Sequence, residues 1–167
     1  MAQAINRFPG VKGRLERIQT DLGFDCYVDY AHTDDGLKQV LQALKPLAKG
    51  KVLLLFGCGG ERDQQKRPLM AKVAETYADE VIVTSDNPRN ENPQEIIKGI
   101  LSGFSSNFDH VEVQIDRRKA MKRILMRARS GDIVLIAGKG HEEVQWLGSQ
   151  KIEFSDQLEC QRILKGQ

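Results

Sequence analysis

The sequence has few cysteines, and they lie far apart. Cys26, Cys58 and Cys160 are the only three among 167 residues, and no CxxC pair is present. A disulfide framework or a cysteine-rich zinc site needs more numerous or more closely spaced thiols, so this spacing argues against both. It favours a reducing, cytoplasmic setting.

Long apolar runs and a large net charge are also missing. No run approaches the roughly 20 residues of a membrane helix, and the segment MAQAINRFPG (1–10) has no signal-peptide core. A net charge of +2 argues against a generally polybasic protein, and 40% apolar with 29% charged residues is typical of a soluble globular one. We expect a linker or tail over 1–13 and one domain over 14–167.

Short apolar runs alternate with segments of helical period. The runs occupy 24–30, 51–57, 80–85, 111–115 and 132–138, with 15–20 as a further candidate strand. Apolar residues recur at i, i+3, i+4 and i+7 in three segments between them, 37–44, 70–77 and 121–128. This alternation predicts an α/β fold, a mostly parallel sheet covered by helices.

Local signals add detail to this prediction. Asp116 and Ser155 are expected to be N-caps of helices, and Gly131 is expected to be the C-cap glycine of the third periodic segment. The segment 144–154 predicts a short hairpin that turns at Gly148. A last helix is expected over 156–165.

Charged residues, glycines and histidines follow four of the predicted strands. The four segments read DYAHTDD (29–35), GCGGERD (57–63), TSDNPR (84–89) and AGKGHEE (137–143). The carboxyl ends of parallel strands meet at one edge of the sheet, which is where α/β proteins bind ligands. We therefore expect these segments to form a site for an anionic or zwitterionic ligand.

The glycine-rich segment matches neither common nucleotide motif. A GxGxxG pattern that starts at Gly57 would need a glycine where Arg62 stands, and Lys66 is followed by Arg67 instead of Ser or Thr. No GK[ST] sequence occurs anywhere in the chain. A glycine turn with a solvated charged loop stays an alternative for this segment.

The other segments also have structural interpretations. DNP is a turn-forming sequence, Asp29 is as suitable for capping a helix as for binding a ribose hydroxyl, and His141 alone is more typical of a structural histidine than of a base. His32 with Asp35 is weak evidence for a metal site. The basic segment 117–129 is a candidate for binding RNA, but it has no interleaved aromatic residue, which favours a solvated helix face.

Five motifs, in this order, carry a family resemblance. They are GRLER (13–17), DYAHT (29–33), GCGGERD with KRP (57–68), DNPR (86–89) and GKGHE (138–142). Together they resemble the C-terminal domain of Mur ligases, which use ATP to extend the peptide of the peptidoglycan precursor. The DNPR motif resembles the branch that adds meso-diaminopimelate. The resemblance covers residues 10–165.

The resemblance implies a Rossmann-like sheet with helices on both faces, in a domain that closes on a central ATPase domain. In the family, the central domain carries the Walker A loop, the magnesium ligands and a carbamylated lysine. The whole enzyme would be a cytoplasmic ligase that uses ATP and Mg²⁺ to add meso-diaminopimelate to UDP-N-acetylmuramoyl-L-Ala-D-Glu. With the N-terminal and central domains absent, this chain is expected to be inactive alone and to have no catalytic residue or metal ligand.

Motif matching implies two sets of binding residues. The set for meso-diaminopimelate is Arg62, Asp86, Asn87, Pro88, Arg89, Gly138 and Glu142. The set for the nucleotide is Arg14, Asp29 and Lys66, with Arg14 and Asp29 expected at the surface. Lys66 is included because the family often has Lys-Gly where Gln64-Gln65 stand.

The alternative function is that of a free-standing, non-catalytic Rossmann-like module. Such a module would bind a small anionic metabolite or a nucleotide at the same strand ends. We expect neither a nucleic acid nor a membrane as a partner.

Overall fold

A six-stranded sheet organises the chain in the computed structural model, which describes residues 11–166. Its strands are β1 (Glu16–Ile18), β2 (Asp25–Asp29), β3 (Val52–Phe56), β4 (Glu80–Val83), β5 (Val111–Val113) and β6 (Ile133–Ala137). They are ordered β1-β2-β6-β3-β4-β5, and all neighbours pair in parallel except β1, which is antiparallel to β2. The predicted mostly parallel sheet is confirmed.

Five α-helices cover the two faces of the sheet. They are α1 (Asp34–Leu44), α2 (Lys66–Tyr77), α3 (Pro93–Leu101), α4 (Arg117–Arg127) and α5 (Asp156–Leu164), and a 3₁₀ helix (Lys45–Leu47) follows α1. Helices α1, α2 and α3 pack on one face, and α4 and α5 pack on the other. Alternate residues of β3 enter the two cores, because side chains of a strand point to opposite faces. A strand buried on both faces is apolar throughout, and this explains the uninterrupted run over 52–56.

The turn and cap predictions are confirmed, with one exception. A hairpin forms from β7 (Val144–Leu147) and β8 (Gln150–Glu153), and the side chains of Asp116 and Ser155 cap α4 and α5. The prediction for Gly131 is wrong, because α4 ends at Arg127 and Ala128 is its C-cap. Gly131 instead takes a positive φ of 89° in the turn that leads into β6, where its N–H donates to the carbonyl of Gly23.

Residues 1–10 of the expected linker lie outside the described residues, and the domain's contacts begin before residue 14. The ammonium of Lys12 lies 2.5 Å from the carboxylate of Glu143. A Cβ on Gly13 would stand 2.1 Å from the backbone nitrogen of His141, so only glycine fits there. Within residues 11–166, no helix has the length and apolar character needed to cross a membrane.

The basic helix α4 is largely neutralised by acids of neighbouring elements. Arg118 pairs with Glu159 of α5 at 2.7 Å, and both Arg123 and Arg127 pair with Glu112 of β5. Arg117, the first residue of α4, is buried, with 2% of its surface exposed. These pairs account for most of the positive charge that made the segment a candidate for RNA binding.

Asp79 joins two elements at the edge of the sheet opposite the strand ends that carry the motifs. Its carboxylate accepts from the ammonium of Lys45 at 2.7 Å and from the backbone N–H of Val52 at 2.7 Å. Partial burial acts to raise the pKa of Asp79, but the hydrogen bonds and charge of its partners hold that pKa below its usual value. A carboxyl with a lowered folded-state pKa stabilises the fold above its unfolded-state pKa, and this contribution is lost as the pH falls.

We predict that Asp79→Asn lowers the free energy of unfolding by about 1 kcal/mol at pH 7, a value reduced for the exposure of the pair. The difference from wild type should begin to shrink below pH 3.8, the ordinary pKa of an aspartate. It should vanish once the pH is below the lowered pKa of the folded state, because wild-type Asp79 is then neutral as well. Urea unfolding at a series of pH values measures both quantities, with Asp21→Asn at an exposed residue as the control. A difference that is equally large at pH 7 and at pH 3 would contradict the electrostatic explanation.

Candidate functional site

A pocket of about 430 Å³ lies at the carboxyl ends of β2, β3, β4 and β6. It is lined by Tyr30, His32, Thr33, Gly59, Arg62, Asp63, Lys66, Asp86, Asn87, Arg89, Gly138 and Glu142. All four predicted segments contribute to it. Seven of the ten predicted binding residues line it, and the exceptions are Arg14, Asp29 and Pro88.

Two arginines on different loops face this pocket. Arg62 is exposed, and within residues 11–166 its side chain makes no hydrogen bond or ion pair. Arg89 is half-buried, and its Nη1 donates to the carbonyl of Gly60 at 2.7 Å. The backbone of Arg89 is also fixed, because its N–H donates to Trp146 and its carbonyl accepts from Gly148 of the hairpin. Arg89 is therefore held in place, and the guanidinium of Arg62 is available to bind a ligand.

Asp86 supplies a nearly buried carboxylate to the pocket. It is 7% exposed, and no hydrogen bond to its carboxylate is present in the described part of the chain. Burial raises the pKa of Asp86 above its usual value, although Arg117 and Lys139 act in the opposite direction. A Cβ on Gly138, whose φ is +116°, would stand 2.7 Å from Oδ2 of Asp86, so glycine is required beside it.

Lys139 is a buried lysine that holds Asn87 and Glu142 of the pocket in place. It is fully buried, and its ammonium donates to Oδ1 of Asn87 at 3.1 Å, Oε2 of Glu142 at 2.9 Å and the carbonyl of Val144 at 2.6 Å. Nδ2 of Asn87 donates to the same Oε2 at 2.7 Å. Burial alone would raise the pKa of Glu142, but Lys139 and Asn87 together hold it below its usual value. The network fixes the Asn87 amide and keeps Glu142 anionic.

Lys139 was not among the predicted site residues. The available signal was a lysine directly after a buried strand and between two glycines, in GKG. Sequence alone does not show that its side chain turns inward, because its three acceptors come from three separate positions along the chain.

A buried ion pair lies beneath the pocket. Arg117 and Asp156 are both fully buried as side chains, and their guanidinium and carboxylate form two hydrogen bonds, of 2.8 and 2.7 Å. Nη2 of Arg117 also donates to the carbonyl of Ala137 at 3.1 Å, and Nη1 lies 3.5 Å from the carbonyl of Ser85. This pair ties the first turns of α4 and α5 to the ends of β4 and β6.

The three residues matched to the nucleotide have different surroundings. Lys66 lines the pocket, and its ammonium donates to the carbonyl of His32 at 2.6 Å. Arg14 is exposed, and its guanidinium lies 5.1 Å from the ring centre of Tyr30. The expectation of a surface position is wrong for Asp29, which is 4% exposed because it accepts from the backbone N–H groups of Leu15 and Ala31 at 2.6 and 2.7 Å.

Pro88 is buried and shapes the loop instead of lining the pocket. Its carbonyl accepts from the N–H of Glu91 at 3.1 Å, which closes the turn that follows Asn87. Within residues 11–166, no three His, Cys, Asp or Glu side chains gather as a metal site would require.

We predict that Lys139→Met raises the pKa of Glu142, because burial then acts without a cation to oppose it. The variant should also lose about 2 kcal/mol of stability, less than for a fully buried pair because Glu142 is half-exposed. A pH titration of the Glu142 carboxyl carbon by NMR measures the first effect, and urea unfolding measures the second. Lys151→Met, which changes an exposed lysine 3.9 Å from the ring centre of Trp146, is the control. It should leave the Glu142 pKa unchanged and cost no more than about 1 kcal/mol of stability. An unchanged Glu142 pKa would show that Lys139 does not act on it.

The fold and the pocket together define an α/β ligand-binding domain whose site suits a molecule with both carboxylate and ammonium groups. Residues 13–140 match the family model described as Mur ligase, glutamate ligase domain. The match spans more than half of the chain, and the chain belongs to the Mur ligase family.

Named relatives are similar in sequence to this chain over nearly its whole length. The UDP-N-acetylmuramoyl-L-alanyl-D-glutamate–2,6-diaminopimelate ligase of Prochlorococcus marinus subsp. pastoris is 46% identical over 171 residues, which cover 99% of this chain and 33% of that protein. The ligase of the same name from Thermosynechococcus vestitus is 47% identical over 167 residues, with the same coverage. The chain therefore spans about a third of the length of the curated relatives it matches.

Solved structures give the same result. A structure of UDP-N-acetylmuramoyl-L-alanyl-D-glutamate–2,6-diaminopimelate ligase superposes with a TM-score of 0.89 at 40% identity, over 98% of this chain and 34% of that one. A folylpolyglutamate synthase from Mycobacterium tuberculosis superposes with a TM-score of 0.61 at 20% identity, over 77% of this chain and 30% of that one. The second likeness concerns the fold alone.

Proposed function

We propose that this chain is the C-terminal domain of a cytoplasmic ligase that uses ATP to join meso-diaminopimelate to UDP-N-acetylmuramoyl-L-Ala-D-Glu. Residues 14–167 form the domain, and the N-terminal and central ATPase domains belong to other parts of the longer protein. The names of the relatives support this substrate pair. The observation that carries the proposal is that one pocket is lined by two arginines, Arg62 and Arg89, and by three carboxylates, of which Asp86 and Glu142 lie on the acidic side.

The pocket has the charges that a second amino-acid end requires. meso-Diaminopimelate reacts through one end, and its distal end carries a carboxylate and an ammonium. Arg62 and Arg89 bind the carboxylate, for which planar guanidinium groups are well suited. Asp86 and Glu142 accept from the ammonium, and Oε1 of Glu142 is the oxygen that Lys139 and Asn87 do not engage.

This domain positions the nucleophile and leaves the phosphoryl chemistry to the rest of the enzyme. When bound, ATP supplies the phosphoryl group that activates the carboxyl of the dipeptide. The free amine of diaminopimelate then attacks that carbonyl carbon, phosphate leaves, and the nitrogen loses a proton as the amide forms. Fixing the distal end converts an encounter between two solutes into an oriented reaction within one complex.

Arg14 and Lys66 are the residues of this chain best placed to bind a nucleotide phosphate. Both are cations near Tyr30 and His32, and Arg14 is exposed. Asp29 has both carboxylate oxygens on backbone N–H groups, and one of these belongs to Leu15. Its carboxylate therefore fixes the backbone that carries Arg14.

We predict a large preference for diaminopimelate over lysine, which lacks the distal carboxylate and would leave both arginines without an anion. Loss of one partner of a buried charge pair costs about 2–5 kcal/mol, which corresponds to about 30-fold to several thousand-fold in kcat/KM. In the full-length ligase, Arg62→Ala and Arg89→Ala should each lose most of this preference, chiefly through weaker use of diaminopimelate.

The measurement is kcat/KM for both amino acids in wild type and in each variant. Arg62→Ala is the cleaner test, because Arg89 also donates to Gly60 and its loss loosens a loop. Arg129→Ala removes an exposed arginine that precedes β6, at the opposite edge of the sheet, and should leave the preference unchanged. Equal use of lysine and diaminopimelate by the wild type would refute the proposed substrate.

A second prediction separates the nucleotide residues from the amino-acid pocket. In the full-length ligase, Arg14→Ala should raise the KM for ATP by about tenfold, as expected for the loss of one charged contact. The KM for diaminopimelate should change less than twofold, because Arg14 does not line the pocket. Steady-state kinetics with each substrate varied in turn measures both values. An unchanged KM for ATP would remove Arg14 from the nucleotide site.

A further inference from the structure

Arg67 and Glu91 form an ion pair that lies beside the pocket without lining it. Arg67 is 3% exposed, and its Nη1 and Nη2 donate to Oε1 and Oε2 of Glu91 at 2.7 and 2.8 Å. The bidentate geometry fixes both the distance and the relative orientation of the two side chains. Arg67 belongs to the first turn of α2, so the pair anchors Glu91 to a helix.

Glu91 links the two loops that carry the pocket arginines. We call residues 57–65 the glycine loop, which carries Arg62, and residues 84–92 the DNPR loop, which carries Arg89. Oε2 of Glu91 accepts from the backbone N–H of Glu61 at 3.1 Å, which is the residue next to Arg62. Nδ2 of Asn90, the residue next to Arg89, donates to the carboxylate of Glu61 at 2.8 Å.

The two loops approach each other as closely as their backbones allow. The N–H of Gly60 donates to the carbonyl of Asn87 at 2.9 Å, and a Cβ on Gly60 would stand 1.9 Å from the carbonyl oxygen of Pro88. Glu61 has a φ of +55°, which is unfavourable for a residue with a side chain. The glycine loop is therefore held in a conformation that needs external contacts, and Glu91 and Asn90 supply them.

Stability alone is a weak explanation for this ion pair. Nε of Arg67 is buried, and in residues 11–166 it has no hydrogen-bond partner. Burying an arginine costs solvation that its partner must offset, and buried ion pairs are often no better for stability than apolar side chains. The contribution of the pair is to set the positions of the atoms around it.

We propose that the Arg67–Glu91 pair is a positioning device for substrate specificity, which holds the glycine loop against the DNPR loop so that Arg62 and Arg89 face the same distal carboxylate. The proposal rests on the proposed function of the pocket. It assigns to two residues outside the pocket a share of the discrimination between diaminopimelate and lysine.

The test is Glu91→Gln in the full-length ligase, which keeps the size of the side chain but removes its charge and its bidentate pair. We expect kcat/KM for diaminopimelate to fall by about 10- to 100-fold, mainly through KM, because a small misplacement of a binding group costs that much. Use of lysine and the KM for ATP should change less than twofold, so the preference for diaminopimelate should fall by the same factor. Asn90→Ala, at an exposed residue where a folding defect is not expected, should change the ratio in the same direction by about threefold to tenfold.

A double-mutant comparison separates positioning from general damage to the fold. If Glu91 acts by placing Arg62, then Glu91→Gln should have less than a threefold effect in an Arg62→Ala background. Asp79→Asn is the control, because it also removes a carboxylate that accepts from a cation and from a backbone N–H, but at the opposite edge of the sheet. It should leave the preference for diaminopimelate over lysine unchanged.

Each result has a distinct meaning. A wild-type preference for diaminopimelate that survives both Glu91→Gln and Asn90→Ala overturns the positioning role and leaves the proposed function intact. An equal loss with both amino acids, or an undiminished effect in the Arg62→Ala background, also overturns it. A wild type without any preference overturns the proposed function and this inference together.

Discussion

The ion pair between Arg117 and Asp156 is the interaction on which the site depends. Both side chains are fully buried, and each stands at the first position of a helix, α4 or α5. The remaining N–H groups of Arg117 point to backbone carbonyls at the ends of β4 and β6. One side chain therefore fixes two strand ends and two helix starts, and removing either partner would leave an uncompensated charge in the core.

From this ion pair toward the pocket, the charged side chains of the site alternate in sign. Asp86 lies near Arg117 and Lys139, Lys139 binds Glu142, and the two pocket arginines come last. Each inner charge has an opposite neighbour, so burial is tolerated step by step. Three cations and three carboxylates line the pocket, but Arg62 makes no hydrogen bond or ion pair within residues 11–166. A carboxylate of the ligand would supply its partner.

The sequence predicts which segments meet at the site better than it predicts the role of each residue there. Strand ends of a parallel sheet must meet, so the convergence of four charged segments follows from their order alone. The burial of Asp29 and Lys139 does not follow, because each also has a partner in another segment of the chain, Leu15 for Asp29 and Asn87 for Lys139. The sequence pattern predicts Arg117 as one of seven basic residues on a solvated helix face, and its partner Asp156 lies 39 residues further along the chain. Local periodicity contains no information about such distant pairings.

The contacts that shape the pocket run between loops more than from the loops to the sheet. Arg89 is held by hydrogen bonds to the β7–β8 hairpin and to Gly60, and the glycine loop is held by the DNPR loop. The sheet itself needs only apolar residues on both faces, as β3 and β6 show. Loops tied to one another can therefore change together while the strands keep their packing. This separation of scaffold from site explains how one fold is shared with proteins only 20% identical to this chain.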